Sequence, residues 1–221
     1  LATIFPDFLP VAQCVWQFGG TGQTFPLAPG EDAVVVICGA IDHAAQYTQS
    51  VNLNKPGYFV CYNPVYFWNT LYHPAPGDQI TPDHYLNVVI KTGQANAYTF
   101  SVFSPATVLF KAKDTTIQDF VSQADNVIQK PGSTVDRIVK VPINWVLDAV
   151  EIYYGGSSNN MKRMPPSVDA GYVTQSALYD GRTLYRHTDE EASREAGYEI
   201  LEDTNNSSSD FYEREKQSLH E

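Results

Sequence analysis

The chain has 221 residues, of which 43% are hydrophobic and 18% charged, and its formal net charge at pH 7 is −11. This length can bury one sizeable core, whereas the charge argues against binding of nucleic acid or anionic lipid, because both rely on Lys and Arg. No run approaches the roughly 20 apolar residues of a membrane-spanning helix, so we expect no direct membrane insertion by this segment.

The composition favours short strands joined by loops that are rich in glycine and proline. The chain contains 14 glycines, 14 prolines, 14 tyrosines and 11 phenylalanines. Aromatic residues favour strands, and glycine and proline favour turns. We therefore predict a mainly β fold with long aromatic-rich loops and one or two short helices.

Apolar runs between turn signals predict four strands, at residues 33–38, 86–91, 97–103 and 146–153. The first follows Pro29-Gly30, where proline presets φ and glycine accepts a positive φ. Residues 92–96 suit a hairpin between the second and third strands. Asp114 offers an N-cap to a short helix predicted over residues 115–124.

The three cysteines show no metal-ligand spacing, and an odd number cannot all pair within one chain. We predict that Cys14, Cys38 and Cys61 are buried thiols rather than a disulfide network. The chain does not begin with Met, so we expect that further sequence precedes Leu1.

Two stretches near the C-terminus carry a family resemblance. Residues 181–186 read Gly-Arg-Thr-Leu-Tyr-Arg, and residues 201–211 read Leu-Glu-Asp-Thr-Asn-Asn-Ser-Ser-Ser-Asp-Phe. Both resemble the closing motifs of lamin-tail-type domains, and residues 27–31 look like the L-x-P-G-E turn of that family. Residues 143–150 and 169–172 look like a narrower family of uncharacterised surface lipoproteins from Bacteroidetes.

This resemblance implies an immunoglobulin-like β-sandwich, in agreement with the aromatic and β-branched runs. It also implies export to the outer membrane or cell surface, anchoring through a region upstream of the chain, and company with TonB-dependent receptors. It implies no catalytic residues. We expect residues 1–221 to form a single lamin-tail-like domain whose first strands lie upstream of Leu1, which would leave an exposed sheet edge near residues 33–38.

The loop region at residues 41–87 holds the main candidate site, a group of aromatic side chains. Flat rings with polar tips suit a protein partner or a sugar face, because they bury large area at little cost in rotamer entropy. The alternative is that about half of these rings cover the core. The candidate surface residues are Tyr58, Tyr62, Tyr66, Trp68, Tyr72 and Tyr85.

Two groups of polar residues are candidate metal sites. The loop histidines His43, His73 and His84 could converge as metal ligands or as an acid–base pair, but their spacing matches no known motif. The oxygen ligands of Asp203, Asn205 and Asp210 could suit Ca²⁺, although Asp and Asn at this density more commonly make Asx turns. We expect no metal and no cofactor.

No nucleophile elbow, P-loop, zinc-protease helix or dinucleotide-binding pattern occurs in the sequence. The Gly-rich residues 19–22 do not connect a strand to a helix, so they are interpreted as a turn. We predict a non-catalytic accessory or scaffold domain of an exported lipoprotein. Its partner would be a protein such as a TonB-dependent outer-membrane receptor, or the ligand of that receptor. The alternatives are a glycan-binding module and a metal-dependent hydrolase that uses the loop histidines.

Overall fold

The computed structural model describes residues 5–37, 39–93, 96–101, 104–215 and 217. Within these ranges the strands are β1 (Phe8–Val11), β2 (Cys14–Gln17), β3 (Val35–Val36), β4 (Phe59–Val60), β5 (Asn87–Lys91), β6 (Ala106–Phe110), β7 (Val127–Gln129), β8 (Arg137–Pro142), β9 (Val146–Tyr154), β10 (Val173–Gln175), β11 (Thr183–Arg186) and β12 (Phe211–Arg214). The helices are α1 (Ile117–Ser122), α2 (Glu190–Ala196) and α3 (Ser207–Asp210), with single 3-10 turns at Pro82–His84, Ala124–Asn126 and Ile143–Trp145. The predicted mainly β class is confirmed.

The strands pair into several small sheets rather than one continuous one. Strand β8 lies between β1 and β7, and both pairings are antiparallel. Strand β9 pairs antiparallel with β6 and parallel with β10. The remaining ladders are β2–β5 and β11–β12, both antiparallel, and the parallel pair β3–β4. This arrangement is consistent with a sandwich-like fold, while the immunoglobulin-like assignment and the single-domain boundary stay predictions.

The largest core cluster lies where β1, β2, β7, β8 and α1 meet. Leu9 of β1 is the register partner of Val141 of β8, and both side chains are buried. Trp145 closes the cluster and packs against Phe120 of α1 at a ring-centroid distance of 4.6 Å. Each such fully buried side chain stabilises the fold by about 2 kcal/mol.

Strand β4 separates two smaller core clusters. Val60 packs with Val36 in the second cluster, whereas Phe59 and Cys61 pack with Leu86 in the third. Because side chains alternate between the two faces of a strand, these neighbouring residues reach different clusters. The loop that contains most of the candidate aromatic residues follows this short strand in the chain.

Two of the predicted strands are confirmed, since β5 covers most of residues 86–91 and β9 covers residues 146–153. The predicted helix exists as α1, but its cap is Thr116, whose Oγ1 accepts a hydrogen bond from the backbone N–H of Asp119. Asp114 was the wrong cap because it adopts a positive φ of 61° outside the helix.

The strand predicted at residues 97–103 is wrong over the described residues 97–101, which form bends, and residues 102–103 lie outside the described ranges. The alternation in burial is present, because Ala97 and Thr99 are buried and Tyr98 is exposed. However, the backbone carbonyl of Tyr98 accepts from the side chain of Gln13, and the Thr99 hydroxyl donates to the carbonyl of Ile37. Over these described residues, side-chain hydrogen bonds occur where a strand ladder was predicted, and the predicted hairpin turn includes residues 94–95, which lie outside the described ranges.

The strand predicted at residues 33–38 shortens to β3. Its neighbour is β4, with the N–H groups of Phe59 and Cys61 donating to the carbonyls of Val34 and Val36, both at 2.9 Å. In the part of the chain that the structure describes, no second strand pairs with β3. The predicted open edge, and the identity of anything that would cover it, stay predictions.

The thiol of Cys14 on β2 is half-buried and forms no disulfide bond. Burial raises the pKa of this thiol to about 12, against a smaller lowering by the nearby Lys91 ammonium. Cys61 is buried in the third core cluster, and Cys38 lies outside the described residues. The predicted reduced state is confirmed for Cys14 and stays a prediction for the other two. None of the helices in the described ranges is long and apolar enough to cross a membrane.

Candidate functional site

Residues 63–73, called the aromatic segment below, form the most distinctive surface loop. Its first half is an Asx turn at Asn63, whose Oδ1 accepts from the N–H groups of Val65 at 3.0 Å and Tyr66 at 3.1 Å. The N–H of Phe67 then donates to the carbonyl of Asn63 at 3.0 Å. Asparagine suits this position because its side chain mimics a backbone turn. The ring of Pro64 fixes φ at the next position of the turn.

The second half repeats the same device at Asn69. Its Oδ1 accepts from the N–H of Leu71 at 3.1 Å, and its carbonyl accepts from the N–H groups of Tyr72 and His73. The N–H of Asn69 is itself bonded to the carbonyl of Asn96. The backbone of the segment is therefore held in two consecutive hydrogen-bonded turns.

Two buried rings anchor the aromatic segment to the core. Phe67 is 1% exposed and stacks on Trp16 of β2, with ring centroids 5.9 Å apart. His73 is 2% exposed, and its Nε2 accepts a hydrogen bond of 3.0 Å from the N–H of Asn63. This bond joins the two ends of the segment, and it requires Nε2 to be unprotonated. Burial lowers the pKa of His73, which favours that neutral form.

The other large side chains of the segment point to solvent. Tyr66 is 45% exposed, Trp68 is 61% exposed and Tyr72 is 47% exposed, and Val65 and Leu71 are more exposed still. The Tyr72 ring lies beside the Tyr98 ring, at a centroid distance of 5.2 Å and an interplanar angle of 37°. Half of the predicted surface residues thus lie together on one exposed, hydrogen-bonded loop.

The remaining predicted surface residues belong to the core lining. Tyr58, Tyr62 and Tyr85 are half-buried and pack against the second core cluster. The Tyr62 ring meets the Tyr85 ring edge-on at 5.6 Å and stacks on His73 at 5.2 Å. Three of the six candidate surface residues therefore cover the core, as in the alternative interpretation, and the other three are exposed; that the exposed rings bind a partner stays a prediction.

The calcium candidates instead build the turn before α3. The buried carboxylate of Asp210 accepts from the N–H and hydroxyl of Thr204 and from the N–H of Asn206. Asp203 accepts from the N–H of Asn205 at 3.1 Å, which is an Asx turn. Asn205 itself has a positive φ of 56°, a conformation that asparagine tolerates. These hydrogen bonds explain the close spacing of Asp203, Asn205 and Asp210, which had made them candidate ligands for Ca²⁺.

The loop histidines occupy separate environments. Besides His73, His43 contacts the carbonyl of Gly39 through Nε2, and His84 contacts Thr81 and Asp83 through Nδ1. Across the described ranges, no group of three or more His, Cys, Asp or Glu side chains is placed to hold a metal ion.

A cleft that the sequence reasoning missed lies on the face formed by the Gly-rich turn and the L-x-P-G-E turn. It has a volume of about 810 Å³, and its apolar lining includes Phe18, Phe25, Leu27 and Phe59. The two turns were recognised as separate local features, but their juxtaposition depends on the ring contacts of Phe59 with Phe18 and Phe25. The signal in the sequence was Leu27, an apolar residue between two glycine-containing turns.

The fold and these sites define a mainly β protein with long, hydrogen-bonded surface loops and small sheets. A family model described as "Protein of unknown function (DUF4876)" matches residues 28–218, and the chain belongs to that family. The matched residues include the aromatic segment and both C-terminal motifs.

The chain is also similar to a solved structure, the crystal structure at 2.50 Å resolution of a DUF4876 family protein from Bacteroides thetaiotaomicron VPI-5482. The identity is 28%, the TM-score is 0.71, and the match covers 95% of this chain and 56% of the solved one. The chain thus spans little more than half the length of that solved protein. No curated protein matches the sequence.

Proposed function

We propose that this chain is a non-catalytic binding domain that contacts a protein partner through the aromatic segment. The observation that carries this proposal is the exposure of Tyr66, Trp68 and Tyr72 on a loop whose backbone is fixed by Asn63, Asn69 and His73. Exposed tryptophan and tyrosine side chains dominate the energetics of protein interfaces.

The rigidity of the loop supports binding rather than incidental exposure. A surface that is already ordered loses less conformational entropy on association, so more of the contact energy appears as affinity. Phe67 and His73 are buried and pack against each other at the base of the loop, whereas the rings of Tyr66, Trp68 and Tyr72 are exposed to solvent. Adjacent exposed apolar side chains, Val65 and Leu71, extend the same surface.

We further propose that the protein is exported and acts at the outer membrane or cell surface, with an outer-membrane protein such as a TonB-dependent receptor as its partner. The resemblance to lamin-tail-type domains and surface lipoproteins of Bacteroidetes supports this setting. The solved structure of the same family comes from a Bacteroides species, which matches the bacterial group of that resemblance. An immunoglobulin-like sandwich would present the aromatic segment from one of its loop-bearing ends.

Glycan binding is the second candidate, and the exposed ring pair of Tyr72 and Tyr98 is the observation that favours it. The two rings are inclined by 37° rather than coplanar, so together they do not form one flat platform for a sugar face. For that reason we favour a protein partner.

The test places a photo-crosslinking amino acid at position 68 in cells of the native organism, with position 47 as the control. Tyr47 is as exposed as Trp68, at 61%, but lies outside the aromatic segment. We expect an adduct with one outer-membrane protein from position 68 and none from position 47. The purified pair should then lose at least tenfold in affinity with Trp68→Ala and Tyr72→Ala combined, but not with Tyr47→Ala.

Equal affinity of the double variant and the wild type would refute the role of the aromatic segment. Binding of the purified chain to an oligosaccharide array, lost in the double variant, would assign the segment to glycan recognition instead. Circular dichroism of each variant shows whether a loss of affinity is caused by removal of the aromatic side chains or by unfolding of the protein.

A further inference from the structure

The cleft beside the L-x-P-G-E turn is separate from the aromatic segment, since none of residues 63–73 lines it. Its lining residues come from the ranges 18–24 and 25–33, together with Gly57, Phe59 and His84. Its volume of about 810 Å³ lies within the range of about 300–1,000 Å³ that is typical of ligand sites.

Aromatic rings form the inner surface of this cleft. The Phe59 ring is nearly perpendicular to the rings of Phe18 and Phe25, at centroid distances of 5.0 Å to each. The imidazole of His84 lies 4.9 Å from Phe25 and 5.1 Å from Phe59. Phe18 is 42% exposed, so ring surface is open to an incoming group. A cation within about 6 Å of such a ring is attracted by the ring quadrupole.

The charge of the cleft is negative. Its charged lining residues in the described ranges are Glu31 and Asp32, and neither Lys nor Arg lines it. Glu31 is fixed by the turn itself, because its Oε2 accepts from the N–H of Ala28 at 2.9 Å. Next to His84, a hydrogen bond from the Thr81 hydroxyl lowers the pKa of Asp83, so a third carboxylate stays ionised nearby.

We propose that this cleft binds a basic side chain, arginine or lysine, from an extended segment of a protein partner. The aromatic walls receive the cation and its aliphatic stem, and the carboxylate of Glu31 complements its charge. The net charge of −11 on the whole chain favours approach of the same kind of partner. The site is independent of the aromatic segment, so either proposal can fail alone.

The experiment measures binding of a fluorescent peptide, acetyl-Gly-Arg-Gly-Arg-Gly-amide, and of the same peptide with neutral citrulline in place of arginine. Both are titrated with the whole chain at 0.15 M salt, where distant surface charges are largely screened. We expect the arginine peptide to bind about tenfold more tightly than the citrulline peptide.

Glu31→Gln should weaken binding of the arginine peptide several-fold, because it removes the charge while a side-chain oxygen can still accept. Phe18→Leu should weaken it as well, since an aliphatic side chain has no quadrupole. The matched controls are Glu190→Gln and Glu191→Gln, which remove the same charge from exposed positions on α2. Trp68→Ala should leave the affinity unchanged.

Equal binding of the arginine and citrulline peptides, or no binding of either, would overturn the proposal. An equal loss in the α2 controls would assign any binding to the overall negative charge rather than to the cleft. Loss of arginine-peptide binding in Trp68→Ala would move the site to the aromatic segment. Thermal unfolding of every variant shows whether reduced peptide binding is caused by unfolding of that variant. If a variant is unfolded, the proposal is tested by the affinities of the wild-type chain for the arginine and citrulline peptides.

Discussion

The side chain of His73 links the exposed aromatic segment to the core. Its ring lies between Tyr62 and Phe67, with centroid distances of 5.2 and 5.3 Å, while its Nε2 accepts from Asn63. Its Nδ1 is buried and has no hydrogen-bond partner in the described residues. A proton added to Nε2 would remove the acceptor that holds the start of the segment, so the order of the loop depends on a neutral imidazole.

We predict that His73 makes the protein less stable in mild acid. Burial lowers its pKa in the folded state below the ordinary value of 6.5. Between the two pKa values the unfolded chain binds more protons than the folded chain, so the free energy of unfolding falls as pH decreases. The loss should begin near pH 6.5 and level off below the folded-state pKa. Urea unfolding from pH 8 to pH 5 measures it.

His73→Gln removes this titration while keeping an oxygen that can accept from Asn63, so its stability should depend less on pH in that window. His187→Gln is the control, because His187 is exposed and stacks on Tyr212 at the surface. Identical pH profiles for wild type and His73→Gln would show that His73 does not contribute.

The turn at residues 169–172 and helix α3 fit together through hydrogen bonds and close packing. The buried carboxylate of Asp169 accepts from the N–H and hydroxyl of Ser207, at 2.9 and 2.7 Å. The Ser208 hydroxyl donates to the carbonyl of Tyr172 at 2.8 Å. Two stretches that are more than 30 residues apart in the sequence are therefore one structural unit.

We predict that Gly171→Ala destabilises this unit. A Cβ at position 171 would lie 2.7 Å from the backbone nitrogen of Ser208 and would also overlap the side chain of Asn206. Because one of these contacts is backbone, relief requires α3 to move, and overpacking of this kind costs about 2 kcal/mol. Gly156→Ala is the matched control, since its Cβ would meet nothing within 4 Å. Urea denaturation should separate the two variants, and equal stabilities would contradict the close packing.

Across the molecule, the β2–β5 ladder connects the first and third core clusters. Val15, Val89 and Ile90 pack in the first cluster, whereas Trp16 and Leu86 pack in the third. A β-bulge between Val15 and Trp16 lies where the strand changes from one cluster to the other. Opening of this ladder would expose both clusters together, so we expect them to unfold cooperatively.

The rate at which the Cys14 thiol on this ladder reacts with an alkylating reagent measures this unfolding. With its pKa raised to about 12, the folded thiol at pH 8 should react with iodoacetamide roughly a thousandfold more slowly than an ordinary cysteine, because only the thiolate attacks. The rate should rise with urea in parallel with the loss of circular dichroism, and peptide mapping by mass spectrometry distinguishes Cys14 from the other cysteines. Rapid labelling at urea concentrations that leave the circular dichroism unchanged would show that the ladder opens locally.

The sequence by itself determined the features that depend on neighbouring residues. Apolar runs bounded by turn signals located β5 and β9. The composition was sufficient for the mainly β class. These features could be predicted because strand propensity and turn chemistry act over a few residues.

Only the tertiary structure decided which rings are buried and which surfaces face one another. Phe67 and Trp68 are adjacent and similar in character, yet one is 1% exposed and the other 61%, because Trp16 from a distant part of the chain and His73 from the end of the same segment pack against Phe67. The cleft likewise exists because Phe59 brings two separate turns together. Burial is a property of contacts between residues far apart in sequence, and hydrophobic character alone does not specify the partner that covers a ring.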